Sequence, residues 1–545
     1  MHHTHKKTLM GLIPTAAAAL ASLFAIAAHA AAPGITGPTF NLTAQPATLN
    51  QPDGHQVYSW GYGCNGNPTG FSPAAITNAT CGSMQVPGPT LIVTEGQKVT
   101  INLINNLPTP AGNTSILFPG FAVTSTGGVT GLLTQEAAPG ATVTYSFTAG
   151  SPGTRAYYSG TQSDLQVEMG LYGAIIVLPK TIPSHCGALG GKPSGLPDSN
   201  PGANRMAQAA HGEADFRNAT AAYDHPDTCY DREYLFQFAE MDPNIHNQAF
   251  AQVTALTGCI AGASGCSLQV PTEPYHPAYF LINGRSMPDD MDGNYAAEYP
   301  NQPYNGNPHM HPGEQTLIRV IGQGRWQHPF HEHANHVRIL GRDGNLILSP
   351  SLVTYPSGSA TVNAAGLAGP LQFTTTTTPG LAFDGIFYFT GRGLNWDMYG
   401  HNPASTDANA ILPCKPDANG YNTGAPTQIN YFEWCQDHNK PLEVAPFGDL
   451  PSGGPATLPD PNIFANGAWY SGSPYLGPDA TTRATGPNSV YQPANVQANP
   501  ANERGYAFMW HSHNEREITT NNVFPGGMLM MMLVDSREFV IDESN

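Results

Sequence analysis

The chain has 545 residues, room for two or three domains, and a formal net charge of −18 with only 11% charged residues. So acidic a chain, without a basic patch, argues against a nucleic-acid partner, while an acidic surface suits solubility and attracts cations. Its 59 Gly and 50 Pro point to short strands and long loops rather than helix bundles.

Along the chain, residues 1–30 read as a signal peptide. Lys6 and Lys7 make a basic start, an Ala- and Leu-rich stretch follows, and Ala28-His29-Ala30 is a small-x-small cleavage signal. The rival reading, a membrane anchor, is disfavoured by Pro14 and by the Ala31-Ala32-Pro33-Gly34 that follows. No other apolar run reaches transmembrane length, so an exported protein without a membrane span is expected, periplasmic or extracellular. Losing Lys6 and Lys7 would take the charge to −20.

Residues 36–180 then read as one β-sandwich. Val86-Pro87-Gly88-Pro89-Thr90 leads into Leu91-Ile92-Val93-Thr94-Glu95-Gly96-Gln97 and the alternating strand Val99-Thr100-Ile101-Asn102-Leu103. A strand over 141–148 and the run Gly173-Ala174-Ile175-Ile176-Val177 close it. Residues 181–229, rich in Gly, Pro, Ser and Asn, read as a linker. A second β-unit, 230–536, opens at Arg232-Glu233-Tyr234-Leu235-Phe236-Gln237-Phe238 and carries a loop-rich insertion over about 396–500. It returns to strand at Gly505-Tyr506-Ala507-Phe508-Met509-Trp510. The methionines at 528 and 530–532 read as core filler of the last strand, with copper ligation as the alternative.

The eight cysteines fall into sequence neighbours: Cys64 with Cys81, Cys186 with Cys229, Cys259 with Cys266, and Cys414 with Cys435. An even count in an exported chain favours disulfides, and nearest-neighbour pairing is the simplest of many connectivities. No Cys-x-x-Cys is present, against a zinc ribbon or thioredoxin-like site.

Two histidine segments carry the chemistry: His328-Pro329-Phe330-His331-Glu332-His333 and His511-Ser512-His513. A His-x-His pair on a strand puts both imidazoles on one face, roughly 6–7 Å apart, with the next strand about 4.8 Å away. Two such pairs on adjacent strands make a four-imidazole cage for one or two metal ions, and binding preference favours copper over zinc. The metal ligands expected are His331, His333, His511 and His513, with His328 a fifth ligand or a partner behind them. Glu332, Glu515 and Glu517 are the nearby carboxylates. The alternative is a metal-free relic, against which stands the cost of crowding four desolvated imidazoles. His309-Met310-His311 reads either as an accessory copper site or as an exposed turn. A His-Glu-x-x-His protease helix, a cupin, a nucleophile elbow and a P-loop all fail on spacing.

In this order these segments resemble the multicopper oxidase family, whose cupredoxin domains are Greek-key β-sandwiches. The Pro-Gly-Pro-Thr and Glu-Gly-Gln turns look like its entry strands, His328 to His333 its His-Pro-x-His-x-His. Trp510-His511-Ser512-His513 with Gly527-Met528 looks like its terminal His-Cys-His…Gly-Met. The resemblance implies an all-β fold of tandem cupredoxin-like sandwiches and a copper cofactor. It also implies oxidoreductase activity on phenolic compounds or metal ions. The departures are specific. Ser512 stands where the family has the blue-copper cysteine, and Glu517 where it has a second blue-site histidine. Leu117-Phe118-Pro119-Gly120 and Tyr157-Tyr158-Ser159-Gly160 replace the first domain's histidine motifs. A normal blue copper centre and the usual four-electron reduction of dioxygen are therefore not expected. A non-catalytic copper-binding or scaffold protein is the other reading of this pattern.

Overall fold

The computed structural model describes residues 31–186, 201–350, 353–354, 361–362, 365–392, 416–428, 430–434, 436, 472–475, 505–537 and 539–543. The leader, most of the 396–500 stretch and the Cys414/Cys435 pair lie outside the described residues.

The described chain is all-β in character, built from two pairs of facing sheets. In the first pair, residues alternate in and out along Lys98–Asn105 and Thr142–Thr148, which pair antiparallel with Val99 opposite Phe147. Val99, Ile101, Leu103, Val143 and Tyr145 therefore point one way. They meet Leu91, Val93, Tyr157 and Ile175 of the opposing sheet in one core. In the second pair, the strand Arg232–Met241 is buried at every position. Its sheet is covered on both faces, which explains its near-continuous apolar run. Tyr234, Phe236 and Phe238 face Phe330, Trp510, Met528, Met530 and Met532 of the partner sheet. Leu235, with Ile321 and Ala382, packs instead on Ala156, Ala174 and Ile176 of the first pair. Buried polar contacts cross this seam: Thr154 donates to Asp384 at 2.5 Å and accepts from Arg319 at 3.0 Å, and Arg319 pairs with Glu233 at 2.7 Å within its own sheet.

Disulfides join Cys64 to Cys81, Cys186 to Cys229 and Cys259 to Cys266. No helix among the described residues is long and apolar enough to cross a membrane.

Two of the helices among the described residues fall in stretches that the sequence pattern reads as linker and as β-unit. Pro201–Ala210 lies inside the stretch read as linker. Pro243–Ala255 is started by Asp242, whose side chain accepts from Asn244 N–H at 2.9 Å, with Pro243 in the first turn. Its Ile245 and Ala249, with Leu268 beyond it, complete the core of the first sandwich.

The exposed-turn reading of His309-Met310-His311 does not hold. His309–Met310 is a short buried strand beside Leu529–Asp535, and Met310 belongs to the core. His309 Nδ1 lies 2.6 Å from Asp535, and His311 Nε2 lies 2.5 Å from Glu213. Arg232 pairs with both Glu213 and Glu314. Ligand atoms of Glu213, His311 and Glu314 lie within 4.8 Å of one another, and with both carboxylates also met by a guanidinium the cluster is a buried ion network rather than an exposed turn. Its partners are far away in sequence, which hid it.

Candidate metal centre

The strand His328–Glu332 lies between Thr374–Thr377 and Gly505–Ser512. Its register sets Phe330 opposite Ser512, His331 opposite His511 and Glu332 opposite Trp510. Because faces alternate, Phe330 and Trp510 enter the core while His331 and His511 turn outward together.

On that outer face, imidazole nitrogens of His331, His333 and His511 lie within 4.8 Å of one another. His511 Nε2 is 3.2 Å from His333 Nε2. The rings of His331 and His333 are 4.9 Å apart, and those of His333 and His511 5.1 Å. His513 lies past the end of its strand, held by its N–H donating to Pro329 at 2.8 Å. Its ring approaches His331 to 4.9 Å, yet its side chain is 51% exposed. The anticipated cage is thus three buried imidazoles with a fourth at the solvent edge.

The rings are oriented from behind. His331 Nδ1 is hydrogen-bonded to Thr374 Oγ1 at 2.6 Å, and His511 Nδ1 donates to the Ser512 carbonyl at 2.7 Å. Each therefore offers Nε2 to the shared space. Burial, then the neighbouring His511 and His513, press the His331 imidazole down to about 4; burial also lowers His511. Neutral imidazoles, as at His331 and His511, are the form a borderline metal ion needs.

His328 does not join them. Three residues from His331, it faces the opposite side of the strand, fully buried. Its Nε2 and Nδ1 each lie 2.9 Å from a carboxylate, Glu240 and Glu517 respectively. Hydrogen bonds and charge from the two carboxylates outweigh burial and hold this imidazole up at about 9. Ser512 donates to Glu517, and Tyr275 OH stands 3.1 Å from Glu240 and 2.6 Å from Glu168. The three positions that resemble the family's blue-site trio, His328, Ser512 and Glu517, are thus tied to one another.

Thr374, Glu240 and Tyr275 went unnoticed in the sequence, because only strand pairing brings them here. Of the flagged carboxylates, Glu515 is 3.6 Å from His513 Nδ1 at the surface. Glu332 is fully buried on the core side; its oxygens take no hydrogen bond, and burial pushes its carboxyl well up. In the first sandwich, Leu117 N–H donates to Tyr158 O at 2.7 Å, so the two segments where the family has histidines do lie side by side. At the four positions they carry Leu117, Pro119, Tyr158 and Gly160 instead.

Residues 72–182 match the sequence profile described as multicopper oxidase. The chain is 38% identical over 99 residues to the multicopper oxidase MCE of Talaromyces pinophilus, covering 18% of this chain and 16% of that protein. It is 34% identical over 119 residues to the laccase abr2 of Aspergillus fumigatus, covering 21% of this chain and 19% of that one. The chain therefore spans less than a fifth of the length of these relatives. Among solved structures it is similar to the multicopper oxidase mgLAC, with a TM-score of 0.41 and 14% identity over 91% of this chain and 86% of that one. It is also similar to the blue copper oxidase of Nitrosomonas europaea, with a TM-score of 0.39 and 14% identity over 91% and 85%.

Proposed function

We propose that this chain, a member of the multicopper oxidase family, is an exported copper-dependent oxidoreductase. Its copper is held by imidazoles of the second sandwich, without a blue copper centre. The single observation that carries the reading is the convergence of His331, His333 and His511 nitrogens within 4.8 Å, with His513 beside them. Three converging nitrogen donors, with His331 and His511 tied down on their far sides, suit copper better than manganese or iron, since among the described residues the cluster holds no carboxylate. Copper bound there would supply one-electron redox chemistry. Thr374 and the Ser512 carbonyl fix which nitrogen each ring presents, and exposed His513 leaves the site open on one side. Three disulfides support an oxidising compartment. Phenolic compounds and reduced metal ions are the proposed substrates.

The second reading, a copper-binding protein without turnover, is favoured by one observation. Where a thiolate would pass electrons inward, Ser512 is hydrogen-bonded to Glu517. Copper stoichiometry with electron paramagnetic resonance, followed by an oxidase assay on the same sample, separates the two. Bound copper with turnover supports the oxidoreductase; bound copper without turnover supports the scaffold; no bound copper contradicts both.

A further inference from the structure

The last strand sends Met528, Met530 and Met532 into the core. Met531 and Met509 are different. Period two turns both to the outer face of the sheet, the side on which His511 lies, and both are half-buried. They stand directly opposite each other in the register between Gly505–Ser512 and Leu529–Asp535. On the other side of Met509 lies His333, whose backbone N–H donates to the Met509 carbonyl at 3.3 Å. This continues the pairing that sets His331 opposite His511. One cross-strand row thus reads His333, Met509, Met531, and the next reads His331, His511, Leu529. Directly opposed residues in such a row have Cβ atoms about 4.5–5.5 Å apart, within the span of two thioether side chains.

We propose that Met509 and Met531 form a thioether pair that takes a cuprous ion at the edge of the imidazole cluster. The inference rests on the copper reading above and adds a second, softer position to it. Thioether sulfur is a neutral, polarizable donor that selects Cu(I) and has little affinity for harder ions. Binding there changes no oxidation state and releases no proton. An ion leaving the pair meets His333 at the next place in the row, so it can pass to the imidazoles by exchange of ligands alone. The position is a landing site for the metal. An ordinary packing role makes a different forecast, because leucine fills the same volume without a donor.

The test compares the parent protein with Met509→Leu/Met531→Leu and with His331→Ala/His511→Ala. Each is titrated anaerobically with Cu(I) against a chromophoric Cu(I) chelator, and with Cu(II) followed by paramagnetic resonance. The methionine variant should lose one Cu(I) equivalent together with its copper–sulfur X-ray scattering, while its Cu(II) signal stays unchanged. The histidine variant should keep that sulfur-ligated Cu(I) and lose the Cu(II) signal. A methionine variant that binds Cu(I) as the parent does, in number and affinity, overturns the proposal. A parent that takes no Cu(II) overturns the copper reading instead, and the thioether pair is then judged on Cu(I) alone.

Discussion

His331 and His328 share one strand three residues apart, yet they are opposite kinds of histidine. His331 lies on the outer face among His333, His511 and His513, and is pressed down to about 4. His328 lies on the inner face between Glu240 and Glu517 and is held up at about 9. At neutral pH one face presents His331 and His511 as neutral ligands and the other carries its own cation. The difference teaches that the blue-site positions have not simply been emptied. At the positions that resemble the family's blue-copper ligands, an imidazolium lies between two carboxylates.

The comparison breaks most completely on the outer face. Replacing His331 and His511 by Ala removes two of three converging donors and should abolish Cu(II) binding, read as the Cu(II) paramagnetic signal retained after aerobic dialysis. An unchanged Cu(II) signal would mean that the ion sits elsewhere.

On the inner face the sharpest lesion is Glu240→Gln. It leaves a buried imidazolium with one carboxylate, and breaking a buried ion pair in this way costs about 3–5 kcal/mol. The folded-to-unfolded midpoint in denaturant should fall accordingly, while copper content holds. A loss under ~1 kcal/mol would show that the His328 cation is not what braces these strands.

The two faces also respond to pH with opposite signs. His328 is raised in the fold, so its contribution is fully present below its unfolded value and is lost as pH rises towards about 9. The cost is roughly 3 kcal/mol at most. His331 is lowered, so the unfolded chain takes up a proton that the fold refuses, and stability falls as pH drops towards about 4. Denaturant titrations of the metal-free protein across this range should show a maximum between the two limbs. Glu240→Gln should flatten only the alkaline limb. Thr374→Val is the mildest change. It frees His331 Nδ1 and should weaken copper binding by about 10–100-fold, leaving stability nearly untouched. A competition titration with a copper chelator reads this directly.

Much of the architecture was legible in the chain itself. Alternation along Lys98–Asn105 and Thr142–Thr148 is a local pattern, and so is the continuous apolar run of Arg232–Met241. The two His-x-His segments were legible for the same reason, since period two needs only neighbours. What it hid was set by distant partners. His328 was grouped with its motif, yet a three-residue offset already places it on the other face, and its carboxylates lie 88 and 189 residues away. His309 and His311 were unreadable because Asp535 and Glu213 come from other parts of the chain. The helix Pro243–Ala255 carried a readable start in Asp242-Pro243, overlooked beside the stronger strand signals. In the first sandwich, the part most similar in sequence to known oxidases is the part without imidazoles at the expected positions.

The most direct measurement is the combined optical and paramagnetic resonance spectrum of the copper-loaded protein, taken again after His331→Ala/His511→Ala. The account predicts a Cu(II) signal with imidazole nitrogen couplings, no intense thiolate band, and loss of that signal in the variant. An intense blue band, or a Cu(II) signal that survives the loss of both histidines, would contradict it.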